Sequence, residues 1–364
     1  MGYAGCIFGA MKKFLYSTAF VCAVLLSPVS SFAAVWTEIP GPASPKNAAI
    51  YGVTSLTGTD TWAVGADSQG RKPLIEHWDG TAWSVVPNPV RLGQLRAVTS
   101  ISFDDLWAVG QTGSGTLVEH WDGAQWLQIP SPNLGTYDLL NGVAAISSND
   151  VWAVGYSLVP DYTYFIMHWD GTAWSLVSPP PASGAALLSV RALATDNVWA
   201  VGYKDYDGNT GSTVILHWDG TAWSEIPSPN VDSANYLVGI DGTAANDLWA
   251  VGNSGSGPTT FHTLALHWDG TAWSVVSTPV VTDSDSLSAV KVLSPASVIA
   301  VGYSSVGPLT QRWNGRKWKL VPTPAGEDGA LLFAVSSAGG TTWSVGYKYL
   351  SFPDTDELFL KAGR

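Results

Sequence analysis

The chain has 364 residues, 29 acidic against 17 basic side chains, a net charge of −12 and two cysteines. A chain this acidic and poor in Lys and Arg is not built for nucleic acid or anionic membranes, which are held by basic patches. Asp outnumbers Glu 23 to 6 and no segment sustains a helical apolar period, so strands and turns are expected throughout.

Residues 1–10 read as an upstream start or an extension. From Met11 the text is a secretory signal: Lys12-Lys13, an apolar run from Phe14 to Leu26, and the small-x-small site Ser31-Phe32-Ala33. The apolar run is too short to span a bilayer. The mature chain is therefore expected to start at Ala34, to have no transmembrane segment, and to be exported to the periplasm, the outer surface or the medium. Cys6 and Cys22 leave with the signal, so the mature chain has no disulfide to stabilise it in an oxidising compartment. Loss of Lys12 and Lys13 shifts the net charge from −12 to −14.

The mature text opens on Val35-Trp36-Thr37-Glu38-Ile39-Pro40, which matches Trp223-Ser224-Glu225-Ile226-Pro227 far downstream. Six complete repeats follow, then a seventh that stops early. Each is organised around a hairpin of the type Leu216-His217-Trp218-Asp219-Gly220-Thr221-Ala222-Trp223, found again at His77, His120, His168 and His267 and in weakened form at Arg312. Asp-Gly between two β-type runs predicts a tight hairpin with a type I′ turn. All 19 Trp fall into three columns. The first stands in W-A-V-G: Trp62, Trp107, Trp152, Trp199 and Trp249, with Ile299 substituting, then Trp343 in W-S-V-G. The second precedes the Asp-Gly or Asn-Gly turn and the third follows it, the third recurring every 43–50 residues. That period, with several strands per unit, indicates propeller blades.

In the fourth repeat the four strand-like runs are Leu188–Ala194, Asn197–Gly202, Thr213–Trp218 and Ala222–Ile226, strands a to d. A Val or Ile lies nine residues before the first-column residue in six repeats; Val335 lies only eight before Trp343, so the last a–b turn is shorter. The last repeat has a, b and c near Leu332–Ser336, Thr342–Gly346 and Glu357–Lys361 but no d, whereas the chain begins with a d strand alone. The expected fold is an all-β, seven-bladed propeller of four-stranded blades, one domain over residues 34–364, closed by the N-terminal strand completing the C-terminal blade. The Trp columns are read as packing: Trp and Val on one face of W-A-V-G, Ala and Gly on the other, let adjacent sheets interdigitate. The one-per-blade His residues are read as structural, because a ring holds them too far apart to share a metal ion.

Strand alternation places the a–b and c–d turns on one rim and the b–c and d–a loops on the other. The c–d turns are nearly identical between repeats; the b–c loops, for example Tyr156–Tyr164, Tyr203–Ser212, Asn253–His262 and Tyr347–Asp356, differ completely. Binding sites are usually carried on individual loops over a rigid scaffold, and this rim collects Tyr. The candidate ligand-binding residues are Tyr137, Tyr162, Tyr164, Tyr206, Tyr236, Tyr349 and Phe261, since Tyr gives a flat apolar body with a polar tip. Tyr156, Tyr203, Tyr303 and Tyr347, each directly after the W-A-V-G-type run, read as caps on the blade edge. No cofactor is called for except calcium, for which Asp205, Asp207 and Asn209 supply alternating oxygens, with Thr210 where the turn glycine should be; Asp283 and Asp285 form a weaker pair. Arg312, Arg316, Lys317 and Lys319 make a basic cluster, read as a solvated edge with the docking of a partner as the alternative.

At these motifs the chain resembles secreted bacterial β-propeller repeat proteins. The D-x-W-A-V-G run, the c–d hairpin and W-x-x-I-P are similar to tectonin-type repeats, whose members include carbohydrate-binding lectins. Asp-Gly-x-x-Trp resembles the Asp-box of sialidase-like propellers in its hairpin position, with shorter spacing and no leading Ser or Thr. The resemblance implies a propeller, and function passes poorly along such a likeness. The expectation is an exported, non-catalytic, monomeric module that binds carbohydrate or an extracellular protein; the competing class is a sialidase-like glycosidase or lyase, for which no local motif marks a catalytic pair.

Overall fold

The structure is a computed structural model that describes residues 36–42, 47–67, 71–113, 115–159, 162–256, 260–324, 329–351 and 354–363. Residues 11–33, read above as a secretory signal, lie outside the described residues. Seven antiparallel four-stranded sheets are formed, and six of them use consecutive strands in the order a-b-c-d. In blade 4 these are Ala186–Ala194, Asn197–Lys204, Ser212–Trp218 and Trp223–Glu225. Blade 7 takes Leu331–Ala338, Thr341–Ser351 and Asp354–Gly363 from the end of the chain and Thr37–Glu38 from its beginning. Thr37 pairs with Lys361 and Glu38 with Leu360, and the Ile39 amide donates to the Phe359 carbonyl at 2.9 Å. The a strands stand side by side around the centre, that of blade 7 lying against those of blades 6 and 1, so the ring is closed. Among the described residues no helix is long and apolar enough to cross a membrane.

Blade-to-blade packing follows the W-A-V-G pattern. Trp62 and Val64 of blade 1 share a buried cluster with Ala108 of blade 2, and Trp152 and Val154 of blade 3 with Ala200 of blade 4. Each first-column Trp also packs on both hairpin Trp of the next blade: Trp107 lies 5.0 Å from Trp169 and 5.6 Å from Trp174. The last contact closes the circle, Trp343 of blade 7 standing 5.0 Å from Trp78 and 5.1 Å from Trp83 of blade 1. Where Ile299 replaces Trp, it packs with Trp36, the residue brought in by the N-terminal strand. Each fully buried Trp removes roughly 150–250 Å² from water, and the girdle repeats this burial at the interfaces between blades.

The c–d turns differ from the expected type I′ form. Trp78 pairs with Trp83 and Trp218 with Trp223, leaving a four-residue loop. Only the glycine has positive φ, +92° at Gly220, while Asp219 does not. The Asp side chain closes the turn instead: Asp219 Oδ1 accepts the Thr221 and Ala222 amides at 2.8 and 2.9 Å and the Thr221 hydroxyl at 2.7 Å. These bonds hold the Asp79, Asp170, Asp219 and Asp269 carboxyls down at about 2.

Strands b and c also run further than their apolar cores indicate. Tyr156 pairs with Tyr164, Tyr203 with Thr213, Ser254 with His262 and Tyr349 with Thr355. Much of what reads as loop is thus a hairpin arm standing above the blade, because polar residues can pair across strands where no neighbouring sheet has to be packed. Every a strand carries a bulge, at Tyr51, Arg96, Asn141, Leu188, Val238, Ser288 and Phe333, where the register against strand b slips by one. The glycine of W-A-V-G makes room for it: a Cβ on Gly202 would stand 1.9 Å from the Ala186 carbonyl oxygen. Blade 7, with its shorter a–b turn, lacks the second slip seen near that turn in the other six blades.

Candidate functional site

On the rim of b–c and d–a loops, tyrosines from three consecutive blades touch in a chain. Tyr156 lies edge-on to Tyr162 at 5.5 Å, Tyr162 to Tyr203 at 6.4 Å, and Tyr203 to Tyr236 at 5.0 Å. Tyr206 closes a triangle, 5.8 Å from Tyr203 and 6.2 Å from Tyr236. The Tyr162 and Tyr203 hydroxyls hydrogen-bond to each other. Burial raises the Tyr162, Tyr203 and Tyr236 hydroxyls above the ordinary value, so all three stay protonated at any physiological pH.

This arc opens into a cavity of 370 Å³ lined by Tyr203, Tyr206, Tyr236, Phe261 and Tyr303. That volume lies within the range of small-molecule and side-chain pockets, about 300–1,000 Å³. Its polar edge comes from Asn253, whose Nδ2 donates to Ser286 Oγ at 2.8 Å, together with Ser284 and Asp285. Leu188 and Val238, the bulge residues of blades 4 and 5, line both this pocket and the central channel, so the two cavities adjoin.

The loops that hold the rings are stitched together, the b–c hairpin of blade 4 first to the segment entering its own strand a. The Asp205 and Tyr206 amides donate to Ser183 and Gly184 carbonyls at 3.0 Å each. Gly211 bridges to Ala234 and Phe261 to Ser284 as short parallel pairs, with the Asp285 amide on the Phe261 carbonyl at 2.9 Å. A b–c hairpin of one blade is therefore pinned to the d–a segment leading into the next. Pinning lowers the ordering cost of binding.

Of the residues singled out from sequence, Tyr162, Tyr206, Tyr236 and Phe261 come together here. Tyr349 does not: it stands 5.3 Å from Tyr347 on blade 7, in a second aromatic group with Phe333 and Tyr51. Tyr164 is 3 % exposed, packs in the core between blades 3 and 4, and donates its hydroxyl to the Pro180 carbonyl at 2.7 Å; burial pushes that hydroxyl up to about 12. Tyr137 is 56 % exposed at φ +61°, apart from the other rings. Tyr203, read from sequence as an edge cap, is the hub, touching Tyr162, Tyr206 and Tyr236.

At the calcium candidate, Asp207 Oδ1 accepts the Asn209 and Thr210 amides at 2.9 and 2.7 Å, and Asp205 sits at φ +56°. Those amides hold the Asp207 carboxyl below the usual range. Asp285 is buried with its oxygens on the Val281 and Thr282 amides and the Thr282 hydroxyl. Among the described residues no three His, Cys, Asp or Glu side chains converge as a metal site. The hairpin His residues are structural in geometry: His267 Nε2 bonds Asp247 Oδ1 at 2.8 Å and its ring lies 4.6 Å from Trp249, His77, His120 and His168 repeat this on Asp60, Asp105 and Asp150, and His217 bonds Asn197 instead. Among the described residues the pocket is lined by one carboxylate, Asp285, and the channel by one, Asp241. Neither offers the pair that acid/base glycoside chemistry uses. Glu119 is buried between blades 1 and 2, bonded to Asn88 Nδ2 at 2.8 Å, and burial pushes its carboxyl up to about 7.

No protein-family model and no curated protein matches the chain. Among solved structures it is similar to YCF48 bound to D1 peptide, at 16 % identity over 90 % of this chain and 97 % of that one, TM-score 0.59. It is also similar to YCF48 from Cyanidioschyzon merolae, at 16 % identity over 91 % and 99 %, TM-score 0.61. The WD40 β-propeller domain of Doa1 gives 12 % identity over 90 % and 96 %, TM-score 0.61. The likeness is one of fold.

Proposed function

We propose that this protein is an exported, non-catalytic propeller that recognises a protein segment by taking its apolar or aromatic side chains into the pocket of blades 4–6. The observation that carries this reading is the convergence of Tyr203, Tyr206, Tyr236, Phe261 and Tyr303 on one 370 Å³ cavity held by pinned loops. The rings meet edge to face, so neighbouring rings occupy much of the surface a sugar would stack on, and a concave apolar wall results. A solved propeller of similar fold holds a peptide, which agrees with a protein partner. Export rests on the basic-apolar-small pattern of residues 11–33. Carbohydrate is the second reading, favoured by Tyr206 and Tyr349, which are 40 % and 44 % exposed.

Selection of random linear peptides on the immobilised mature chain, beside a glycan array, tests the assignment. Peptides with a recurrent aromatic or large aliphatic residue are expected, and Tyr236→Ala should weaken them about tenfold or more, as loss of an aromatic hot spot does. Glycan capture without peptide capture, or peptides indifferent to Tyr236→Ala, would overturn it.

A further inference from the structure

The central channel has a charge opposite to that of the protein. Among the described residues four charged side chains line it, Arg96, Arg191, Lys291 and Asp241, three cations against one carboxylate in a chain of net charge −12. Asp241 is shared: Arg191 Nε stands 3.1 Å from Oδ1 and Lys291 Nζ 3.3 Å from Oδ2, and Oδ2 also accepts the Val292 amide at 2.8 Å. One carboxylate thus balances one of two cations. Arg96 is in no ion pair among the described residues. Its guanidinium carbon lies over the Tyr51 ring, 4.5 Å from the centroid, and its Nε is buried with no hydrogen-bond acceptor.

Position adds to the charge. Arg96 occupies the bulge of its a strand, near the strand's start and hence on the loop side of the channel. Arg191, Asp241 and Lys291 pair with Trp199, Trp249 and Ile299, three residues deeper along their own strands. A cation-lined cleft with low-dielectric walls focuses its field and draws in anions. The mouth is also aromatic, Tyr51 standing 5.5 Å from Phe333, which suits an organic anion better than a fully hydrated inorganic one. A guanidinium meets a carboxylate in two parallel hydrogen bonds, which suits Arg96 to a carboxylate ligand.

We infer that the loop-side mouth of the channel is a carboxylate-binding site, with Arg96 as its primary contact and the uncompensated charge of the Arg191–Asp241–Lys291 group deeper in. The channel volume of 260 Å³, near the lower end of ordinary ligand pockets at about 300 Å³, fits a small di- or tricarboxylic acid or one acidic side chain of a larger partner. The inference does not depend on what fills the tyrosine pocket, although that pocket adjoins the channel at Leu188 and Val238.

Isothermal titration of the mature chain with citrate, inorganic phosphate and a capped peptide bearing a single Glu tests it. Citrate or the peptide should bind once per chain, more weakly as salt rises, and more tightly than phosphate. Arg96→Gln should weaken that binding about tenfold or more, the usual loss when a charge-assisted pair is removed. Arg96→Lys keeps the charge without the fork and should fall between. Lys291→Gln leaves Arg191 and Asp241 as a neutral pair and should weaken binding several-fold while Arg96 stays in place, which keeps the inference testable if the Arg96 variants do not fold. Citrate alone binding identifies a free acid; peptide alone binding, with the same dependence on Arg96, identifies an acidic side chain. No heat with either, equal affinity in Arg96→Gln, or tighter binding of phosphate would overturn the inference.

Discussion

The propeller has two aromatic girdles, and they obey different rules. Near the a–b and c–d turns the aromatics are Trp, repeated blade by blade: each first-column ring packs on the hairpin pair of the next blade. Most second-column indoles donate to an a–b turn carbonyl, as Trp218 does to Thr195 at 3.1 Å. Near the b–c and d–a loops the aromatics are Tyr, grouped on blades 3 to 5 and again on blade 7, without period. A ring of seven equivalent interfaces demands the same solution seven times, whereas a ligand breaks that symmetry. Within one chain, regularity therefore marks architecture and irregularity marks the place where something else is recognised.

The largest test of the regular girdle is removal of residues 35–41. It would leave the Asp354–Gly363 strand as an open edge and strip Trp36 from Ile299, and an unpaired edge invites aggregation. Aggregation or loss of a cooperative melt is expected; an unchanged calorimetric transition would break the closed-ring account. Next comes Trp107→Ala. This side chain is 2 % exposed and touches two Trp of blade 3, so chemical denaturation should show a loss of about 3–5 kcal/mol.

A smaller effect separates the blade interior from the turns by pH. Below about pH 4.5 Glu119 is protonated whether the chain is folded or not. As pH rises to about 7 the unfolded chain ionises first, so stability falls across that window. Glu119→Gln should therefore gain up to about 3 kcal/mol at pH 8, the 1.36 kcal/mol per unit of such a shift, and almost nothing at pH 4. The turn carboxylates act in the other direction. Their folded values near 2 lie below the unfolded value of 3.8, so the stability they contribute is present above about pH 4 and lost as pH falls toward 2. Melting temperatures across pH 2–8 should rise and then fall; a flat profile, or one Glu119→Gln does not change, would contradict both assignments.

The fold was legible because its determinants are local and repeated. The Trp columns and the orphan strand at Trp36 are enough to imply seven blades and their closure. The site was half legible. Tyr162, Tyr206, Tyr236 and Phe261 stand out as irregular aromatics, but Tyr203 follows W-A-V-G as Tyr156 does, and only the inter-blade geometry makes it the hub. Arg96 escaped because a bulge leaves no mark within a single strand and shows only when the repeats are compared. A signal does exist: the residue two before the Val or Ile of strand a is Tyr51, Arg96, Asn141, Leu188, Val238, Ser288 and Phe333, a position that varies completely inside an otherwise repeated strand. Likewise Tyr164 looks like a rim residue until strand c is seen to run through it.

The most direct test of the division between the two girdles is hydrogen–deuterium exchange of residues 34–364 with and without a peptide obtained by selection. Protection is predicted in residues 203–211 and 233–236 and from Phe261 into strand c of blade 5, with the c–d turns at 79–82, 170–173 and 219–222 unchanged. Protection of those turns, with the tyrosine hairpins unaltered, would place recognition on the regular rim and contradict the account.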